Sequence, residues 1–105
     1  MNHLTVAEGI QLVKGLCIAS GLAKEVAECR WNQKGTSAYV KFTFTNDYDR
    51  KGKDCFTIRV SDHAGGRGAF SFSIVVTRFS QEQICDYIED QILEMKTNYL
   101  SKRAA

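Results

Sequence analysis

Apolar side chains recur along this chain with two different periods, and the change from one to the other falls near residue 37. In "LTVAEGIQLVKGLCIASGLAKEVAEC", Val6, Ile10, Val13 and Cys17 lie at helical spacing, with Leu12 and Leu16 widening the stripe. Thr5, three residues before Glu8, has the pattern of a capping box that opens this helix. Gly21 is the candidate break, after which "LAKEVAEC" reads as a second short helix, so the helical N-terminal part spans 5–30. Gly9 and Gly15 each weaken the first helix by about 1 kcal/mol relative to alanine, unless another backbone packs closely there.

From Ser37 the period becomes two. In "SAYVKFTFT", Ala38, Val40, Phe42 and Phe44 alternate with Tyr39, Lys41, Thr43 and Thr45, the pattern of a half-buried strand. "NDYDRKGKD" has turn chemistry and no apolar pattern, so it reads as a loop. "CFTIRVS" alternates again, with Phe56, Ile58 and Val60 inward and Thr57, Arg59 and Ser61 outward. After the glycine-rich "DHAGGRG", the run "AFSFSIVVT" places Phe70, Phe72, Ile74 and Val76 on one face. Three successive strands with short links predict an antiparallel meander over 37–77.

The last element has the clearest signature. Ser80 and Gln83 form a second capping box before Ile84, Tyr87, Ile88, Ile92, Met95 and Tyr99, a helical stripe over 80–100. The predicted fold is α+β in the order α-β-β-β-α. It is a two-layer sandwich whose three-stranded antiparallel meander is covered on one face by helices. The pattern leaves open whether the N-terminal helices cover their own sheet or that of a second copy, a homodimer.

Length and composition narrow the class. At 105 residues, with 44% apolar and 25% charged side chains, the chain reads as one soluble globular domain over 1–105. A formal charge of +2 offers no strong whole-molecule attraction to nucleic acid or anionic membrane. No run approaches the roughly 20 apolar residues of a membrane span, and no secretory signal pattern opens the chain. Cys17, Cys29, Cys55 and Cys85 are widely spaced, with no C-x-x-C pair. Reduced thiols in a cytoplasmic protein fit this better than zinc or a disulfide framework. No cofactor and no metal are expected.

"DHAGGRG" is where chemistry is first sought. Its glycines suit a hairpin turn, and successive amides beside Arg67 also suit an anion. A phosphate loop, however, runs from strand into helix, and this one runs from strand to strand, so the hairpin is expected. His63 follows Asp62 directly, and neighbours on extended backbone point to opposite faces, which disfavours a catalytic dyad. A pairing of His63 with Cys55 or Cys29 is left as the enzymatic alternative. The other histidine, His3, falls in an expected frayed terminus.

The element order α-β-β-β-α is similar to that of the double-stranded-RNA-binding domain, from the first helix to the last. That resemblance implies RNA contacts from a histidine in the first strand loop and from lysines opening the last helix. Here the loop offers Arg50, Lys51 and Lys53 without a histidine, and the helix opens "SQEQICDYIED", so those residues do not carry over.

Charge divides the surface instead. Glu82, Asp86, Glu89, Asp90 and Glu94 give the last helix five negatives and no positive between Phe79 and Met95. Residues 30–78 carry nine Lys/Arg against four Asp/Glu. The expected outer sheet face presents Tyr39, Lys41, Thr43, Thr57, Arg59, Ser71 and Ser73. In compactness and divided polarity the chain resembles small phage or mobile-element accessory proteins of the anti-CRISPR type. The resemblance implies a non-enzymatic, stoichiometric inhibitor of a larger protein or nucleoprotein complex, such as a bacterial defence system, acting in the cytoplasm of a bacterial host. The acidic helix is then the docking surface, with Tyr39, Lys41, Arg50, Lys51, Lys53, Arg59 and Arg67 as a second, basic contact set. The same basic residues support the alternative of a nucleic-acid-binding domain.

Overall fold

The computed structural model describes residues 3–48, 54–66 and 68–100. Helix α1 spans Val6–Ala19. Strands β1 (Ala23–Trp31), β2 (Ser37–Phe44), β3 (Cys55–Ser61) and β4 (Phe72–Val75) follow, then a 3-10 turn at Val76–Arg78 and helix α2 (Gln81–Tyr99). Both predicted capping boxes form: the Thr5 and Ser80 side chains accept from the N3 amides, and Glu8 and Gln83 reach back to the cap amides. Helix α1 stops before Gly21, whose amide donates to the Ile18 carbonyl at 3.1 Å.

The four strands form one sheet in the order β1-β2-β3-β4. β1–β2 and β2–β3 are antiparallel, whereas β3 and β4 are parallel, with Ile58 opposite Phe72 and Val60 opposite Ile74. The α+β class therefore holds, and the three-stranded antiparallel meander is replaced by a four-stranded mixed sheet. The segment "LAKEVAEC", expected as a second short helix, instead falls almost wholly in the edge strand β1. Two register shifts explain the misreading. Between Ala23 and Glu25, and again between Val26 and Glu28, β1 advances two residues while β2 advances one. Each bulge stretches the apolar spacing from two to three. Ala23, Val26 and Cys29, opposite Phe44, Phe42 and Val40, thus share the sheet's inner face while imitating a helical stripe.

The core lies between that inner face and both helices. Ala38, Val40, Phe42, Phe44, Phe56, Ile58, Val60, Phe72 and Ile74 are buried against Ile10, Val13 and Cys17 of α1 and Ile84, Ile88, Ile92 and Met95 of α2. Phe42 stacks on Phe56 at 5.2 Å, and Phe44 meets Tyr99 at 5.4 Å. Gly9 lets α1 approach the sheet: a Cβ there lies 2.8 Å from Val76 Cγ1 and 3.1 Å from Val60 Cγ1. His3 is not frayed. Its Nδ1 lies 2.7 Å from the Phe79 carbonyl, an acceptor that assigns the proton to Nδ1 and ties the N-terminus to the entry of α2.

The parallel pairing changes the meaning of the glycine-rich segment. A hairpin turn returns the chain alongside the strand it has just left, but residues 62–71 carry it back to the starting end of β3. This crossover has no helix among its described residues and is shorter than the dozen or more residues usual between parallel strands. Phe70, expected on the core face of the last strand, belongs to this crossover. Its ring lies 6.1 Å from that of Tyr39, which pairs in register with the outward-facing Arg59. The segment therefore runs over the outer face of the sheet, opposite the helices.

Candidate functional site

Two surfaces gather the residues singled out in the sequence. The first is the exposed side of α2. Glu82, Asp86, Glu89, Asp90 and Glu94 are all exposed, and none takes part in an ion pair with a described residue. This follows from the helix period: with Ile84, Ile88, Ile92 and Met95 turned inward, the acidic positions fall on the opposite side. Among them stands Leu93, 65% exposed, and Ile18 of α1 is 44% exposed. A groove of about 440 Å³ between the end of α1 and the middle of α2 is lined by Leu16, Ala19, Ile92 and Leu93, with Glu89, Asp90 and Lys96 at its border. Lys96 is engaged: its Nζ donates to the Ser20 carbonyl and sits 5.5 Å from the Tyr48 ring centroid. Leu93 and Ile18 were absent from the sequence-based candidates. The available signal for Leu93 was an apolar residue one helical turn beyond Glu89 and Asp90, on the polar side of the stripe.

The second surface is the outer sheet face, where the expected basic set separates. Lys41 is exposed and Tyr39 half-buried, and both line an open cleft of about 350 Å³ with Glu28, Arg30, Thr57, Gly68 and Ala69. Arg30 is paired there with Glu28 at 2.9 Å. Arg59 does not join them as a contact residue, because it is 1% exposed. The outward pleat was predicted correctly, but the crossover covers it. Arg50, Lys51, Lys53 and Arg67 lie outside the described residues.

Under the crossover, Arg59 is the centre of a polar cluster. Its Nη2 donates to Ser61 Oγ at 3.0 Å, and its Nη1 donates to the His63 carbonyl at 3.3 Å and to Ser73 Oγ at 3.5 Å. Ser61 Oγ accepts from the His63 amide at 3.1 Å and lies 3.4 Å from the Thr36 carbonyl. No carboxylate pairs with Arg59 among the described residues, and its buried Nε has no partner. What lies against Nε is backbone: a Cβ at Gly66 falls 2.3 Å from it.

Asp62 and His63 do meet, contrary to the argument from extended backbone. They sit on the bend beyond β3, and His63 Nδ1 is 2.8 Å from Asp62 Oδ1. The rest of the geometry does not suit nucleophilic catalysis. Ser61 Oγ lies on the same ring nitrogen, 3.1 Å from Nδ1, while Nε2 faces Arg59 Nη2 at 3.4 Å. A guanidinium can only donate, so Nε2 is the acceptor and the neutral ring carries its proton on Nδ1, toward Asp62. The expected cysteine partners are distant. Cys55 starts β3 and Ser61 ends it, six residue steps apart, or about 20 Å of strand. Cys29 belongs to the helix-covered face. Burial pushes the Cys17 thiol up to about 12, which keeps it protonated and unreactive.

Among the described residues no helix is long and apolar enough to cross a membrane, and no cluster of three or more His, Cys, Asp or Glu could hold a metal ion. Comparison with protein-family models, with curated proteins and with solved structures finds no match.

Proposed function

We propose that the protein is a non-enzymatic binding module that docks on a partner protein through the groove between α1 and α2 and the acidic side of α2. The observation that carries this reading is Leu93, exposed among carboxylates that have no partner in the described chain. An apolar anchor ringed by charge is the arrangement of a protein interface, where the centre is desolvated and the rim sets register. The partner surface it fits is basic around an apolar socket, as in a groove built for nucleic acid. Occupying such a groove inhibits a nucleoprotein complex stoichiometrically, which agrees with the resemblance to anti-CRISPR-type accessory proteins.

Photo-crosslinkers placed at position 93 and, as a control, at Thr43 on the outer sheet face test this in a bacterial lysate. The captured protein is then purified and titrated. The reading expects capture from position 93, saturation at a fixed molar ratio, and loss of binding in Leu93→Glu. Capture from position 43 alone, or full binding by Leu93→Glu, refutes it.

The outer-face cleft supports a second reading, as a nucleic-acid contact. Lys41 and Arg30 flank Tyr39 there, a cationic border beside an aromatic floor. A gel shift that weakens steeply with salt supports it, and no shift at low salt removes it.

A further inference from the structure

Arg59 stands out electrostatically. A guanidinium that is 1% exposed, with no carboxylate partner among the described residues and an orphaned Nε, is expensive to bury. Its neighbours, the Ser61 and Ser73 hydroxyls, the His63 carbonyl and the His63 ring, carry no negative charge. They satisfy Nη1 and Nη2 but leave the charge uncompensated. The Nε–H on the remaining edge is a charged donor left unused, and an oxyanion is the acceptor such a donor binds most strongly.

What closes that edge is lightly held. The Asp62–Gly66 arm of the crossover lies over Arg59, with the Gly66 backbone so close that a Cβ added there would fall 2.3 Å from Nε. Among the described residues, Ala64, Gly65 and Gly66 make no backbone hydrogen bond. The arm is anchored at its start, where the Asp62 amide donates to the Thr36 carbonyl and Thr77 Oγ1 donates to the Asp62 carbonyl. Few hydrogen bonds and exposed glycines characterise segments that open locally at low free energy.

We propose that Arg59 is the base of an oxyanion site, closed by the Asp62–Gly66 arm, and that a phosphate-class anion binds there when Gly65 and Gly66 lift. The anion supplies the missing counter-charge and accepts from the unpartnered Nε–H. Closure of the arm competes with binding, so the apparent affinity is reduced by the fraction of molecules that are open. The site lies on the sheet face opposite the α1–α2 groove, so it stands or falls independently of the docking reading.

Inorganic phosphate is the probe, titrated against chloride at matched ionic strength and followed by amide and Arg Nε–H NMR signals. The proposal expects saturable shifts at Gly65, Gly66 and Arg59 Nε–H in the parent. Arg59→Met, which removes the charge and keeps an unbranched apolar chain, is expected to abolish them. Phosphate also stabilises proteins by exclusion from their surfaces, and that contribution is common to parent and Arg59→Met. Gly66→Ala places a methyl group against Arg59, disfavours the closed arm, and is expected to bind phosphate roughly tenfold more tightly than the parent. A short single-stranded oligonucleotide at equal phosphate concentration distinguishes the source. A free anion reaches Arg59, and a strand that shifts only Arg30 and Lys41 signals leaves the assignment to free anions intact. Absence of saturable shifts at the arm in both the parent and Gly66→Ala overturns the proposal, even if Arg59→Met fails to fold. Equal shifts in a folded Arg59→Met overturn it too.

Discussion

Gly65 and Gly66 are a natural pair for separating backbone strain from contact. Both have φ above +100° (+114° and +106°), a region where any L side chain is strained. An alanine Cβ at Gly65 meets nothing within 4 Å, whereas at Gly66 it lies 2.3 Å from Arg59 Nε, 2.6 Å from Cδ and 2.9 Å from Cζ. The backbone contribution, about 1–2 kcal/mol, is common to both substitutions. The contact contribution belongs to Gly66→Ala alone, and forcing extra volume against a packed side chain costs about 1–3 kcal/mol. Because the arm makes few hydrogen bonds it can yield, which holds the contact cost within that range. Gly66→Ala is therefore expected to melt roughly 5–20 °C below Gly65→Ala, at about 4–8 °C per kcal/mol for a domain of this size. Thermal unfolding of the two variants by circular dichroism, with urea titrations for free energies, measures the difference. Equal stability of the two variants refutes the reasoning, because it means that the Gly66 backbone does not rest on Arg59.

Other expectations follow from the core, the acidic helix and the buried thiol. Phe42→Ala, at a fully buried position stacked on Phe56, should cost about 3–5 kcal/mol in urea unfolding; a cost below 1 kcal/mol would show the sheet faces reversed. Reversing Asp86 and Asp90 to lysine should leave the melting temperature nearly unchanged, since both are exposed, yet slow association with a basic partner, more at low salt than at high. Indistinguishable association rates across ionic strength would make that side of α2 a solvated surface. Native protein at pH 8 should protect Cys17 from a thiol reagent while the half-buried Cys29, Cys55 and Cys85 react, so early labelling of Cys17 in folded protein refutes its burial. A folded-state value raised from 9.0 to about 12 means that the unfolded chain loses this proton first. Stability contributed by the protonated Cys17 is then whole below pH 9 and lost as pH rises toward 12, by at most about 1.4 kcal/mol per unit. Cys17→Ala should flatten that slope relative to the parent, and an unchanged slope counts against the assignment.

The features that local patterning determined were those whose cause is local. A helix start depends on a cap and the residue three positions on, so Thr5–Glu8 and Ser80–Gln83 were readable, as was the stop before Gly21. A strand's inner face depends on alternation, so Ala38 to Phe44 and Phe56 to Val60 were assigned to the correct side. Alternation also places Arg59 outward, and the helix period places five carboxylates and Leu93 away from the core. Other features required the partner strand or the covering segment. The bulges of β1 exist only in its register with β2, so Ala23, Val26 and Cys29 looked helical when read alone. Whether two alternating runs pair as neighbours in a hairpin or in parallel through a crossover is a property of where the chain returns, and glycines permit either. That return brings Gly66 down on Arg59, turning an outward-facing cation into a buried one. Strand direction and burial of an outer face are set by contacts between residues far apart in sequence, which periodicity along a single strand cannot encode.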